Sequence, residues 1–258
     1  ASFDTGPEAD FAKGEPALFT APERKRNAAV KGLVNGNGIR IEENAGRFGA
    51  ALRFDGTSKD IVFYRGAANL GFREKDWSGT ASFWMRLSPD EDLQPGYCDP
   101  LQFVAQAWGE GNMFVEFSKD HNPRHFRYAI MAVTKLWNPN AEKWEEMSRR
   151  PMTAVENPPF RRDRWTHVCF TFGNANTGKK DGWGRLYLDG VKSGEFNGWE
   201  NTFNWVLEES ALTLGYNYTG HLDDLAVFGR ALSDDEVKLI FAAEKGIASL
   251  GHAPAEAK

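Results

Sequence analysis

The sequence has few cysteines and no long apolar run. Only Cys98 and Cys169 are present among 258 residues, too few for a disulfide scaffold. They form one bridge in an oxidising compartment or remain two free thiols, and the sequence leaves both open. No segment approaches the roughly 18 to 20 consecutive apolar residues that cross a bilayer, so we expect no membrane insertion.

Excess charge is also small. Lys and Arg total 31 against 36 Asp and Glu, a formal net charge of −5. Affinity for phosphate backbones comes from clustered Lys and Arg, and the basic clusters at 24–26 and 161–162 are short. We therefore expect no nucleic-acid partner.

The common catalytic motifs are missing as well. The five histidines show no metalloprotease-type spacing, and no Gly-x-Ser-x-Gly elbow or phosphate-binding glycine loop occurs. The motifs therefore identify no transition-metal centre and no nucleophile.

Short alternating apolar runs separated by turn residues dominate the chain from residue 51 onward, a pattern typical of strands. We predict ten strands, at 52–54, 61–64, 80–87, 101–108, 113–118, 125–133, 165–172, 185–188, 211–214 and 222–228. Ten strands without intervening helices predict an all-β fold, an antiparallel β-sandwich or barrel. With no internal repeat or low-complexity linker, residues 1–258 are interpreted as one domain.

One helix is clearly indicated near the C-terminus. Ser233 and Glu236 match a capping box, residues 237–241 supply an apolar stripe, and Gly246 is predicted to end the helix. We expect this helix to pack on the sandwich.

Two regions lack the regular strand rhythm. Residues 1–50 are rich in Gly, Pro and charge and are predicted to form an irregular segment laid across the domain. Residues 89–164 contain turn-forming clusters between strands and are predicted to form an insertion with long loops. Binding residues commonly lie on such loops.

Three pairs of segments resemble the laminin-G-like branch of the concanavalin A-like lectin/glucanase superfamily. They are residues 51–56 with 82–85, residues 165–168 with 186–190, and residues 214–216 with 220–236. The resemblance implies a jelly roll of two curved antiparallel sheets whose concave side or loop rim often binds carbohydrate. Because the family includes enzymes, lectins and adhesion domains, the fold alone does not select a function.

Acidic residues offer a catalytic hypothesis. Related β-glucanases use Glu-x-Asp-x-x-Glu on a strand, and this sequence has only Glu116 followed by Asp120. On a regular strand their Cα atoms would lie ~13 Å apart, whereas glycosidase carboxyl pairs lie about 5 to 9.5 Å apart. A bulge or turn would have to bring them together, with His125 as a further acid or base.

A polar surface is the second hypothesis. If residues 113–118 and 125–133 form a hairpin, Glu116 and Arg127 lie near each other, with His125 on the same face. The pair is either a structural ion pair or a polar floor for sugar hydroxyls, which charged donors and acceptors bind with defined direction.

Aromatic residues in the inserted region are candidates for stacking on a sugar ring. Tyr97, Trp108, Trp137 and Trp144 lie beside turn residues and are predicted to bind ligand. The alternative is that these rings only anchor long loops.

Asp223 is a candidate metal ligand because it lies in a predicted core strand, where an unpaired charge is costly. Relatives bind a structural Ca²⁺ through an Asp in the matching strand, and oxygen ligands suit that ion. Asp4 and Asp55 are weaker candidates. A turn-capping role for Asp223 is the alternative.

Together these observations predict non-catalytic recognition of a glycan or polysaccharide. A hydrolase or lyase using Glu116, Asp120 or His125 is the first alternative, and a protein-binding adhesion or scaffold domain is the second. The resemblance predicts a secreted, periplasmic or cell-surface location. A start at Ala1 without a signal peptide is what either a processed or a trimmed protein shows.

Overall fold

The computed structural model describes residues 1–105, 111–247 and 249. Fifteen strands lie within these residues. They are β1 (Leu18–Ala21), β2 (Val30–Lys31), β3 (Ile39–Glu42), β4 (Ala51–Phe54), β5 (Ile61–Arg65), β6 (Trp77–Arg86), β7 (Cys98–Val104), β8 (Asn112–Phe117), β9 (Phe126–Met131), β10 (Met152–Val155), β11 (Thr166–Ala175), β12 (Gly182–Leu188), β13 (Val191–Trp199), β14 (Ala211–Tyr216) and β15 (Gly220–Phe228).

The strands form two antiparallel sheets. The eight-stranded sheet has the order β10-β9-β8-β7-β14-β5-β1-β2, and the seven-stranded sheet has the order β13-β12-β11-β6-β15-β4-β3. The apolar residues of both sheets meet in one large core, which confirms the predicted β-sandwich. All ten predicted strands are present, although residues 106–108 of the fourth lie outside the described residues.

Side-chain alternation explains how the sheets face each other. In β11, Val168, Phe170 and Phe172 enter the core between the sheets, as their period of two predicts. Cys169 lies on the opposite side of the strand, where it packs in a small cluster with the C-terminal helix. The two-residue turn at Asp189 and Gly190 joins β12 to β13, and both residues have positive φ, as a type I′ turn requires.

The described residues contain three short α-helices, α1 (Pro89–Asp92), α2 (Thr134–Trp137) and α3 (Asp234–Phe241). The capping box that begins α3 is confirmed: Glu236 N–H donates to the Ser233 hydroxyl, and the Glu236 carboxylate accepts from Ser233 N–H. The predicted end at Gly246 is wrong, because α3 ends at Phe241. Gly246 instead supplies a positive φ of 70° in a later turn.

The first 50 residues are more regular than predicted. They contain β1 and β2 at one edge of the eight-stranded sheet and β3 at the edge of the other. These strands are two to four residues long and are stabilised by pairing with β5 and β4. Their local sequence has too few residues to show a period, so the pattern missed them.

The region 89–164 is also part of the sandwich. It supplies β7, β8, β9 and β10, half of the eight-stranded sheet, and β7 pairs directly with β14. Sequence reasoning missed β10, as it missed β13 in the other sheet.

The two cysteines are buried free thiols. Cys98 packs in the core between the sheets and Cys169 packs beneath α3, on opposite sides of the seven-stranded sheet, which excludes a bridge in this structure. Among the described helices, none has the length and apolar character that a bilayer crossing needs.

Candidate functional site

Most of the predicted site residues meet on the outer face of the eight-stranded sheet, the face turned away from the core. Val115 in β8 and Tyr128 in β9 point into the core. Their neighbours Glu116 and Arg127 therefore face outward, and His125 follows the same alternation just before β9. The sequence placed these residues correctly; whether they bind a ligand stays a prediction.

Glu116 and Arg127 are directly opposite each other in the antiparallel register of β8 and β9. Arg127 Nη2 lies 2.6 Å from Glu116 Oε1, and both side chains are only 7% exposed. Such a pair in a low-dielectric site is short and directional, but its desolvation is costly.

Three further buried polar residues lie on the neighbouring strands β7 and β14. The Gln102 amide donates to the Asp99 carboxylate, and Thr213 lies opposite Gln102 in the pairing of β14 with β7. We call Asp99, Gln102, Glu116, Arg127 and Thr213 the polar cluster; all five are buried. Burial raises the pKa of the Asp99 and Glu116 carboxyls, the Arg127 guanidinium opposes this for both, and the charge of Asp99 adds to the rise at Glu116.

Several atoms of the polar cluster have no hydrogen-bond partner within the described protein. They are Asp99 Oδ1, Arg127 Nε and Thr213 Oγ1. Buried polar groups are nearly always hydrogen-bonded, and leaving one unpaired costs about 1–3 kcal/mol. They are one acceptor, one donor and one hydroxyl group, all of them buried from solvent.

Tyr97 stands above the polar cluster. Its ring centroid lies 5.6 Å from Arg127 Cζ and 5.2 Å from Lys119 Nζ, and the side chain is 37% exposed. The backbone around it is fixed, because the Arg124 guanidinium donates to the carbonyls of Gln94 and Gly96. An exposed ring over a buried charged floor combines a stacking surface with directional polar groups.

Trp137 and Trp144 cover the neighbouring part of the same outer face. They pack at its apolar end and meet edge to face at a centroid distance of 6.3 Å. The Trp137 indole N–H donates to the Ala132 carbonyl. Both rings are half-buried, so they anchor the loop between β9 and β10 and expose part of their surface beside the polar cluster. Trp108 lies outside the described residues.

Glu116 and Asp120 do not lie on one continuous strand, and their use as a catalytic pair stays a prediction. Strand β8 ends at Phe117, and Asp120 lies exposed in the following bend, 3.7 Å from Lys119 Nζ. The second carboxyl group of the polar cluster, whose charge acts on Glu116, is that of Asp99. A β-bulge between Cys98 and Leu101 breaks the alternation at this point, so no regular period indicated Asp99.

His125 is at the edge of the polar cluster. Its ring stacks on His121 at a centroid distance of 3.7 Å, and its backbone N–H donates to the Ser118 hydroxyl. Partial burial is the main cause that lowers its pKa, followed by the neighbouring His121. His125 is therefore mostly uncharged at neutral pH.

A depression of about 510 Å³ opens at the rim of this face. Three of its lining residues, Glu23, Arg24 and Asn217, have positive φ, a strained conformation that is common at functional sites. Arg24 Cζ lies 4.0 Å from the centroid of the Tyr216 ring, and Tyr216 is opposite Asp99 in the sheet. The Asn217 amide also donates to the Tyr97 carbonyl, which connects the depression to the Tyr97 loop.

Asp223, the predicted calcium ligand, belongs to the other sheet and is fully buried. Its carboxylate accepts the backbone N–H groups of Arg47, Phe48 and Asp224 at 2.6, 3.0 and 2.7 Å. Calcium takes oxygen ligands, whereas this carboxylate is surrounded by N–H donors.

The carboxylates of the weaker calcium candidates also interact with other groups of the protein. Asp4 accepts the Ala50 N–H, and Asp55 forms ion pairs with Arg40 and Arg53. Within the described residues, no group of three or more His, Cys, Asp or Glu is arranged to hold a metal. The N–H donors around Asp223 fit the alternative capping role better than calcium binding. Calcium binding stays a prediction from the resemblance.

Comparisons with known structures agree with this architecture. One similar structure is domain 4 of AbnA, a GH43 extracellular arabinanase from Geobacillus stearothermophilus, solved in complex with arabinotriose. The similarity covers 92% of this chain and 94% of that one, at 15% identity and a TM-score of 0.55. The endo-β-1,4-glucuronan lyase of the fungus Trichoderma reesei covers 78% of this chain and 90% of its own, at 16% identity and a TM-score of 0.50. At such identities the likeness shows the fold alone.

The receptor binding domain of botulinum neurotoxin D is a third similar structure. It covers 87% of this chain and 52% of its own, at 12% identity and a TM-score of 0.53. A comparison with curated proteins found no match. The family model Laminin_G_3, of the concanavalin A-like lectin/glucanases superfamily, matches residues 55–238, more than two thirds of the sequence. The chain therefore belongs to this family.

Proposed function

We propose that the chain is a non-catalytic carbohydrate-binding domain that holds a glycan on the outer face of its eight-stranded sheet. The observation that supports this most directly is the half-exposed Tyr97 ring above the Glu116 and Arg127 ion pair. A sugar ring packs its C–H face on an aromatic ring, while its hydroxyl groups take hydrogen bonds from directional polar partners.

The rim depression extends the proposed site. Its lining supplies hydroxyl, amide, carboxylate and ammonium groups; the residues are Glu23, Arg24, Thr57, Ser58, Lys59 and Asn217. Because Arg24 stacks on Tyr216 next to Asp99, a chain of sugars can run from this depression toward Tyr97. The exposed Tyr97 ring, held over the Arg127 guanidinium, then supplies the stacking contact at the other end of the site.

The comparisons are consistent with this proposal without selecting a sugar. The arabinanase domain is similar over nearly the whole length of both chains and was solved with arabinotriose. Its description as extracellular supports a secreted or cell-surface location for this chain, which is part of the proposal. The lyase and the toxin domain show that the fold also serves enzymes and receptor binding.

Affinity electrophoresis in gels that contain arabinan, glucan or uronan tests the proposal. The variant Tyr97→Ala removes the stacking ring without touching the core, so it should fold normally and lose most of the retardation seen with the wild-type chain. Phe11→Ala is the matched control, because Phe11 is 84% exposed and lies in the N-terminal segment. Retardation by no polysaccharide, or equal retardation of Tyr97→Ala and wild type, contradicts the proposal.

A polysaccharide hydrolase or lyase is the second candidate. The carboxyl groups of Asp99 and Glu116 favour it, because both have a raised pKa, as acid catalysts do. Their burial argues against it, since a catalytic acid has to touch the glycosidic oxygen. New reducing ends or unsaturated products that disappear in Glu116→Gln would establish the enzyme and replace the binding proposal.

A further inference from the structure

A second depression, of about 330 Å³, lies on the outer face of the seven-stranded sheet. Aromatic rings and charged groups share its lining; the residues are Arg47, Trp84, Asp163, Arg164, Trp165, Asp189 and Phe241. Trp84 lies in β6, Trp165 immediately precedes β11, and Phe241 ends α3. The depression therefore lies on rigid elements, on the opposite side of the molecule from Tyr97 and the polar cluster.

The aromatic part of the lining is tightly organised. Trp84 stacks on Phe241 at a centroid distance of 5.7 Å and an interplanar angle of 28°. The His167 ring lies within 6 Å of both, at 5.0 Å from Trp84 and 5.8 Å from Phe241. Trp84 is almost fully buried, whereas Trp165 is half-buried and presents part of its indole to the depression.

The lining contains two arginines and two aspartates, but both aspartates are paired with arginines other than Arg47. Arg164 pairs with Asp189, and Asp163 pairs with Arg161 at 3.0 Å. Arg47 and Arg86 remain, and in the described chain neither guanidinium has a carboxylate within ion-pair distance. Arg47 stacks on Trp84 with Cζ 5.1 Å from the ring centroid, and Arg86 stacks on Trp165 at 4.9 Å.

The other groups that face these arginines do not supply a negative charge. Arg86 Nη2 donates to the Ala45 carbonyl and lies 3.5 Å from His221 Nε2. His221 already pairs with Glu42 at 2.9 Å. His167 Nε2 is bonded to the Ser82 hydroxyl, while its fully buried Nδ1 has no partner in the described protein. A guanidinium positioned over an indole keeps its N–H edge available for a bidentate contact with a carboxylate.

We infer that this depression is a second binding site, and that it takes a uronic acid residue of an acidic saccharide. The sugar ring packs against the exposed part of Trp165, and its carboxylate accepts hydrogen bonds from Arg47. Neutral sugars lack the group that would complete the charge balance, so they bind more weakly. The site is independent of the function proposed for the eight-stranded sheet and stands if that proposal fails.

Binding at this site can be followed through the indole N–H signals of ¹⁵N-labelled protein. Trigalacturonate is titrated into the full chain, and Trp84→Phe and Trp165→Phe assign the two relevant signals. We expect the Trp165 signal to shift with trigalacturonate and to shift much less with the methyl-esterified trimer, which keeps the rings but removes the charge. Raising the salt concentration should weaken binding of the acidic trimer.

Substitution of Arg47 tests the charge directly. We expect Arg47→Gln to weaken binding about tenfold, the usual scale for losing a hydrogen bond to a charged group, and Arg47→Lys to weaken it less. Lys180→Gln is the matched control, because it removes one positive charge from an exposed residue in the turn between β11 and β12. The Arg47 backbone N–H, not its side chain, bonds Asp223, so the fold should persist in all three variants.

Three results would overturn this inference. They are equal affinity for the acidic and esterified trimers, wild-type affinity in Arg47→Gln, and signal shifts confined to Trp137 and Trp144. The last result would assign the acidic saccharide to the eight-stranded sheet and so support the proposed function while removing the second site.

Discussion

The outer faces of the two sheets are covered by different kinds of side chain. The seven-stranded sheet is covered by an apolar cluster beneath α3, in which Cys169 and Tyr187 meet Val237 and Ile240. Its buried carboxylate, Asp223, is satisfied by three backbone N–H groups. The eight-stranded sheet has instead a buried ion pair between Glu116 and Arg127.

This contrast predicts that the two buried carboxylates, Asp223 and Glu116, contribute differently to stability. Apolar burial and complete hydrogen bonding lower the free energy of the fold, whereas a buried ion pair gains little over an apolar pair of the same shape. A polar cluster that contributes little to stability suits a surface whose task is to contact another molecule. The predictions below test whether the two faces differ in this way.

The largest effect is expected from breaking the ion pair. Arg127→Met leaves Glu116 buried without its partner and should lower the free energy of unfolding by about 3–5 kcal/mol, measured by urea titration at pH 8. The loss should be smaller at pH 5, because burial already raises the pKa of Glu116 and a protonated carboxyl costs less to bury.

Two comparisons sharpen this test. The double variant Glu116→Gln with Arg127→Met should recover most of the stability, since it leaves no unpaired charge. Arg161→Met removes an exposed pair of the same kind, with Asp163, and should cause no measurable loss. A double variant as unstable as the single one would show that the ion pair itself stabilises the sheet.

The sequence predicted the sandwich and its longer strands because their alternation is local. It also placed Glu116 and Arg127 together, since a hairpin fixes their register. Asp99 could not be predicted, because a bulge displaces it from the period of its strand. The depression at Trp84 and Trp165 joins residues from distant segments, and single-residue patterns contain no information on such contacts.

A smaller loss is expected at Asp223. Asp223→Ala removes the acceptor of three backbone N–H groups and should lower the free energy of unfolding by about 3 kcal/mol. Asp223→Asn keeps one acceptor oxygen and should lose clearly less. Equal losses in the two variants would show that the charge of Asp223, not its hydrogen bonding, supports the loop at residues 46–50.

The pH dependence of the same residue gives a second measure. Burial raises the pKa of Asp223 from 3.8 to about 7, so the folded state binds its proton more tightly than the unfolded state does. This contribution to stability is present below about pH 4 and is lost as the pH rises toward 7. Thermal unfolding of Asp223→Asn should therefore depend less on pH between 4 and 7 than that of the wild type.

The smallest effect is expected at the cap of α3, the helix that closes the seven-stranded sheet. Ser233→Ala removes the acceptor for the Glu236 N–H and should lower the free energy of unfolding by about 1 kcal/mol in a urea titration. Ser233→Asp keeps an acceptor and should retain the stability of the wild type. Neither variant should change retardation in the neutral arabinan or glucan gels, because α3 lies away from Tyr97 and the polar cluster. A loss of retardation by arabinan or glucan in Ser233→Ala would mean that the cap of α3 influences the Tyr97 face.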